Sequence, residues 1–141
     1  MMFIPYCPDE DPPYAGVKVI LQHQGEVEAW AKIDTGAEIT IVPVPLLDAV
    51  MAPTDGAPHP CMGYDGQITE LYSYQLDIVV SDSRWPVSVQ REFAGVIVIG
   101  VPAQEGGSGE TAEILIGRDL LQAWCLVLDG PRGRYAVKSE P

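Results

Sequence analysis

The sequence predicts an all-β fold, a barrel or sandwich of short strands, from three observations. Apolar residues recur with period two over short runs, turn residues interrupt those runs at frequent intervals, and helical spacing is convincing only in one brief segment near the C-terminus. A chain of 141 residues is the size of one domain, and a globule of this length buries roughly 68–70% of the surface its unfolded chain exposes. Hydrophobic residues make up 47% of it, ordinary for a globular protein and enough for one core without staples.

Residues 1–14 carry Pro5, Pro8, Pro12 and Pro13 with Asp9, Glu10 and Asp11, a composition that favours an extended, solvated and disordered arm; residues 15–141 form the single folded domain. Val17, Val19 and Leu21 alternate with Lys18, Ile20 and Gln22, Gln24-Gly25 offers a turn, and Val27, Ala29, Ala31 and Ile33 continue the alternation. This is a β-hairpin with one buried face. Residues 39–42 make a short apolar strand ended by Pro43 and Pro45, and residues 46–51 a turn of helix. Pro53, Asp55-Gly56, Pro58 and Pro60 mark residues 52–60 as loop, because proline cannot donate to a ladder. Residues 61–80 then form a second hairpin, tipped by Gly63-Tyr64-Asp65-Gly66, with 71–80 as its long returning strand. Further strands are expected at 86–90, 94–101 and 114–116, and a glycine-rich surface loop at 104–110. Residues 118–124 are the short helix, with Leu120, Leu121 and Trp124 on one face. Strands at 125–128 and 135–138, joined by a turn at Asp129-Gly130-Pro131, close the chain.

The formal net charge of −12 and only eight scattered Lys and Arg residues argue against duplex nucleic acid and anionic membranes as partners, since both attract clustered basic groups. Cys7, Cys61 and Cys125 are odd in number and form neither a CxxC pair nor a Cys/His ligand pattern, so neither a disulfide framework nor a metal site is expected, and no cofactor. His23 and His59 read as surface residues. The glycines of 104–110 lack the Lys of a phosphate loop. No basic leader or long apolar run is present, and with reduced thiols this points to the cytoplasm. Trp30, Trp85 and Trp124 are expected to anchor the core or an interface.

One triplet carries chemistry. Asp34-Thr35-Gly36 follows an apolar strand ending at Ile33 and precedes another beginning at Ile39. An Asp held in a glycine turn between buried strands is presented by rigid neighbours. The triplet alone is short enough for chance to supply. Three segments in order are more specific: Ile33-Asp34-Thr35-Gly36-Ala37, the glycine-bearing hairpin 62–68, and Ile114-Leu115-Ile116-Gly117-Arg118-Asp119-Leu120-Leu121. In these the chain resembles the retropepsin-like aspartic peptidases, over residues 17–128.

The resemblance implies a closed acid-protease-like barrel with a flap hairpin and one short C-terminal helix. It implies a homodimeric endopeptidase with Asp34 as catalytic carboxylate, because each chain of such enzymes supplies one Asp-Thr-Gly turn. Two adjacent carboxylates share one proton; the charged one takes a proton from water and the protonated one donates to the scissile carbonyl. Thr35 would brace the paired turns across the two-fold axis, Gly36 leave room for substrate backbone, and Ala37 line the site. Glu38 and Arg118 stand where the family pairs an acidic residue with the Arg following Gly117; the alternative is that both are merely exposed. Thr40 matches a hydroxyl position of the family, or is simply a good β-former. Asp119 is expected to cap the helix start.

Met62, Gly63, Tyr64, Asp65 and Gly66 correspond to the flap, with more bulk than viral flaps carry, or to an ordinary hairpin turn. Ile39, Ile41, Val98 and Ile116 are candidate walls for substrate side chains, with core packing as the competing role. In viral relatives both termini pair in the dimer interface, an arrangement the Pro-rich arm and the added strand at 135–138 put in question. The remaining alternatives are a non-catalytic peptide-binding or dimerisation module retaining the fold, and an unrelated barrel in which Asp34 is only a turn residue.

Overall fold

The computed structural model describes residues 2–8, 14–62, 66–102 and 113–139. Strands β2 (Gly16–Gln22) and β3 (Glu26–Ile33) form the first hairpin, with Val17 opposite Ala31 and Leu21 opposite Val27. Val17, Val19 and Leu21 have no exposed surface, so the period-two pattern does place one face in the core. β4 (Ile41–Pro43), β6 (Ile68–Val80), β7 (Glu92–Val101) and β8 (Ile114–Ile116) join them in the order β2-β3-β8-β4-β7-β6. A further antiparallel pairing of β2 with β6 closes the barrel. Its interior is filled by Leu76, Ile78, Val98, Ile114 and Ile116 among others, and Leu47 of helix α1 (Val44–Ala49) adds to that core. Closure removes edges that would otherwise expose unpaired backbone groups.

The ladder is antiparallel except where β8 runs parallel to β3 and β4 parallel to β7. Those two parallel pairings bring the ends of β3, β4 and β8 together, and the Asp34 turn lies there. Gly100 of β7 faces the Tyr74 ring; a Cβ at Gly100 would stand 2.5 Å from it and 3.1 Å from Leu47. Only glycine allows that approach.

A second sheet, β1 (Ile4–Pro5), β10 (Arg134–Lys138) and β9 (Cys125–Asp129) in the order β1-β10-β9, lies beside the barrel. It is locked on by Tyr135, fully buried, whose hydroxyl donates to Gly16 O at 2.8 Å and accepts from Trp85 Nε1 at 2.9 Å. Burial pushes the Tyr135 phenol up to about 12, so it remains a donor at any working pH. Asp82 and Arg84 extend this knot. The Asp82 carboxylate accepts from Arg84 Nη2 at 2.7 Å, Arg84 Nε at 2.9 Å and Lys18 N at 3.1 Å, while Arg84 Nη2 also donates to Gly16 O at 3.0 Å.

Four expectations differ from what the chain does. Residues 52–60 are not loop: β5 (Thr54–Met62) pairs with β6, Pro58 opposite Tyr72 and Pro60 opposite Glu70. It is an edge strand, where proline's missing N–H leaves no internal ladder position unfilled. Residues 86–90 form a 3-10 turn at Val87–Val89 rather than a strand. In the N-terminal segment, Ile4 is buried and pairs with Tyr135, so this part of the expected arm is packed; residues 9–13 lie outside the described residues, as does the whole of the loop expected at 104–110. Trp85 and Trp124 anchor the core as expected, in edge-to-face contact at 5.1 Å, and Trp30, 46% exposed on β3 and flanked by Lys18 and Arg84, each 5.2 Å from its ring, keeps only the interface role of the two expected for it. Helix α2 spans Arg118–Leu121, shorter than the apolar spacing suggested, with hydrogen-bonded turns carrying the chain on to Trp124.

Candidate active site

Asp34 leaves β3 and is fastened at once. Its N–H donates to Ile116 O at 2.9 Å, its carbonyl accepts from Ala37 N at 3.2 Å, and its Oδ1 accepts from Gly36 N at 3.0 Å. The carboxylate therefore closes its own turn, an arrangement to which Asp is suited because its short side chain reaches the N–H two residues on. Asp34 and Ala37 are half-buried, whereas Thr35 and Gly36 are exposed at the apex.

The strand-turn-strand is then bolted to the start of α2. Arg118 N donates to Ala37 O at 2.8 Å and Asp119 N to Glu38 O at 3.2 Å. Gly117 is required for this contact: a Cβ there would meet Ile39 C at 2.8 Å and Ala37 O at 2.9 Å. Beneath lies Thr40, with no exposed surface. Its hydroxyl donates to Asp119 Oδ1 at 2.8 Å and accepts from Gly117 N at 3.1 Å, and its N–H donates to Asp119 Oδ2 at 3.1 Å. The sequence marks Asp119 as a cap of the helix start. Its Oδ1 does accept from Leu120 N at 3.0 Å, but its two oxygens chiefly hold Thr40. The signal available in the sequence was a lone Thr within an apolar run; its partner 79 residues on comes only with the fold.

Glu38 and Arg118 do meet, at 3.6 Å, with side chains 84% and 58% exposed. Ile39 is exposed and Ile41 half-buried, but Val98 and Ile116 belong to the sealed core. Of the four candidate substrate walls, only Ile39 stands open beside the turn.

The hairpin of β5 and β6 projects from the barrel, with Met62 opposite Ile68 and both largely exposed. Gly66 adopts a positive φ of 79°, a conformation that glycine adopts without strain. Gly63, Tyr64 and Asp65 lie outside the described residues. The base of the hairpin is fastened by Thr54 Oγ1 donating to Ser73 O and Ser73 Oγ donating to Asp55 Oδ2, each at 2.8 Å, with His59 Nε2 3.6 Å from the same carboxylate oxygen. The Ser73 hydroxyl and the Ala57 N–H hold the Asp55 carboxyl below the usual carboxylate range.

No group of three or more His, Cys, Asp and Glu side chains that could hold a metal ion occurs among the described residues. None of the described helices is long and apolar enough to cross a membrane.

No protein-family model and no curated protein matches the chain. Among solved structures it is similar to a retropepsin-like aspartic protease from Rickettsia conorii, with a TM-score of 0.57 and 13% sequence identity over 96% of this chain and 90% of that one. The fold is accordingly the retropepsin-like, all-β closed barrel. At this identity the likeness is one of architecture.

Proposed function

We propose that the chain is an aspartic endopeptidase that works as a homodimer, the Asp34 carboxylates of two copies forming the catalytic pair. The observation that carries this reading is the turn itself: an Asp34 whose carboxylate accepts from Gly36 N and whose backbone N–H donates to Ile116 O, at the end of a strand of a closed barrel that also carries the β5–β6 hairpin. Barrel, turn and hairpin together are the parts such a peptidase needs, and the Rickettsia conorii neighbour shares the fold.

One carboxylate does not suffice for the reaction. Hydrolysis needs a base to take a proton from the attacking water and an acid to donate one to the carbonyl oxygen as it becomes tetrahedral. Two carboxylates a few ångströms apart cannot both ionise cheaply, so one retains its proton and both roles are filled at one pH. Collapse of the tetrahedral species expels the amine, which takes the proton that the base received from water, while the other carboxylate takes back a proton from a hydroxyl of the tetrahedral carbon, so the pair again holds one proton. No covalent intermediate is required. With one Asp-Thr-Gly in the chain, the second carboxylate comes from a second copy, and a two-fold dimer is the simplest closed assembly. Thr35, exposed at the apex, would brace the partner turn. Ile39 offers an apolar contact to the substrate, and Met62 and Gly66 belong to the hairpin that covers an extended peptide and keeps water out.

Digestion of a peptide library across roughly pH 3 to 7, the range over which paired carboxylates titrate, tests this with wild type against Asp34→Asn. Cleavage is expected to fall by about 10²- to 10⁴-fold or more in the variant, with dimerisation retained. Equal cleavage by the two proteins would refute the assignment. Absence of cleavage by both, with peptide still bound, would instead identify a non-catalytic peptide-binding module.

A further inference from the structure

The charge of the chain is not spread evenly along it. Residues 33–83 and 92–117 contain twelve Asp and Glu and no Lys or Arg, whereas the rest of the sequence holds eight acids and all eight Lys and Arg. The net charge of −12 therefore resides in the segments that supply the Asp34 turn, β4, the β5–β6 hairpin, β7 and β8. The cations stand on the β2–β3 hairpin, between β6 and β7, on α2, and in the small sheet with its connecting turn. Arg118, which reaches the Asp34 turn, already faces Glu38.

Two acids of the hairpin differ in what engages them. Asp55 is used within the hairpin: its Oδ2 accepts from Ser73 Oγ and its Oδ1 from Ala57 N, with His59 alongside. Glu70 is exposed, and no hydrogen bond or ion pair engages its side chain among the described residues.

The register fixes where Glu70 looks. It stands opposite Pro60, between the Met62–Ile68 and Pro58–Tyr72 pairs. Successive residues of a strand alternate in face, so Ile68, Glu70 and Tyr72 share the face on which Tyr74 and Leu76 follow. Leu76 is sealed in the core, and the Tyr74 ring stands against Gly100. This face of the hairpin is thus the outward continuation of the barrel interior. Met62, Ile68 and Tyr72 on it are all exposed, an apolar strip interrupted by one carboxylate.

We propose that this strip receives side chains of the peptide that the hairpin covers, and that Glu70 is a specificity-determining residue in it, selecting substrates that carry Lys or Arg among apolar residues. The inference rests on the aspartic peptidase reading and names its substrate class. Beneath a hairpin that excludes water, a carboxylate gains more from a cationic partner than an exposed pair does, because a charge-assisted hydrogen bond is stronger where solvent does not compete. An acidic side chain in the same place is opposed by Glu70, and juxtaposed like charges disfavour the wrong partner. The surrounding anionic segments act at longer range, drawing cationic peptides toward the chain to a degree that salt screens.

The test uses the intact chain near neutral pH and labelled, extended apolar peptides that differ only in carrying one Lys, one norleucine or one Glu at each position in turn. Binding is read by fluorescence polarisation, and cleavage across the acid range by mass spectrometry. Lys is expected to tighten binding about 10-fold over norleucine at a defined position, the scale of a charge-assisted bond, with the gain reduced in high salt. Glu70→Gln should cut that advantage to about twofold or less, the scale of a residual long-range attraction, and Glu70→Lys should shift the preference to the Glu peptide at the same position. A reversed preference also requires a folded chain, so it separates lost selection from lost structure. A Lys advantage that survives Glu70→Gln, or none at any position, would overturn the inference while leaving the peptidase reading intact if the peptides are cleaved. Peptides bound with the expected preference yet never cleaved support the role of Glu70 and count against the peptidase. A chain that neither binds nor cleaves any of them counts against both.

Discussion

Two pairs of residues join the Asp34 turn to the start of α2 through their side chains, and they differ in burial, geometry and charge. Thr40 and Asp119 are held by two hydrogen bonds, 2.8 and 3.1 Å long, with the Thr side fully buried. Glu38 and Arg118 face each other 3.6 Å apart on the surface. The first replaces water that cannot reach the site, so its loss leaves donors and an acceptor unsatisfied. The second competes with solvent on both sides and holds two long side chains in one geometry, which leaves such pairs worth little. The family resemblance drew attention to the charged pair; burial gives the weight to the other.

The largest effect expected from breaking this comparison is at Asp119. Asp119→Ala strips the acceptor from Thr40 N–H and hydroxyl and should destabilise the fold by about 3 kcal/mol, the upper range for hydrogen bonds to a charged group, read by denaturant unfolding. Thr40→Val should cost about 2 kcal/mol, and the double variant less than the sum, because both singles remove the bond between the Thr40 hydroxyl and Asp119 Oδ1. Additive costs would show that the two residues act separately.

The Asp82–Arg84 pair sharpens the point from elsewhere in the fold. Burial raises the Asp82 carboxyl, but the Arg84 side chain and N–H, with Lys18 N–H, outweigh it and hold the group below its ordinary 3.8. A carboxyl depressed on folding stabilises the native state above its unfolded value and loses that contribution as pH falls through the folded one. Asp82→Asn should therefore cost about 2 kcal/mol at neutral pH, and its deficit relative to wild type should shrink in acid, below about pH 3.8. A deficit independent of pH would mean the charge contributes nothing. The smallest effect belongs to the surface pair: Arg118→Leu should change stability by less than about 0.5 kcal/mol, and by less still in high salt.

How far the sequence could be read follows the same division. The β2–β3 hairpin was legible because its alternation records a one-sided environment along one continuous segment. The Asp34 turn was legible because glycine and apolar flanks mark it locally. β5 was missed because prolines at 58 and 60 forbid a central strand but not an edge, and edge or centre is a property of the sheet. The strand expected at 86–90 failed for a related reason: its apolar residues are explained by a buried Val89 beneath Trp124, whose Nε1 donates to Val89 O at 2.7 Å, and not by pairing. Val98 and Ile116 carried no mark to separate a core residue from a site wall, since both roles ask for the same side chain.

By itself, then, the sequence determined what is encoded locally: an all-β chain, one Asp-Thr-Gly turn, a glycine-bearing hairpin and a Gly-Arg helix start. Periodicity, turn chemistry and spacing are properties of neighbouring residues. The tertiary structure alone decided that β2 meets β6 to close the barrel, that Thr40 finds Asp119, that Glu38 and Arg118 remain in water, and that Glu70 falls on the hairpin face continuous with the core. Each of these depends on which distant segments come together and how much solvent they exclude, and burial is set by the whole chain.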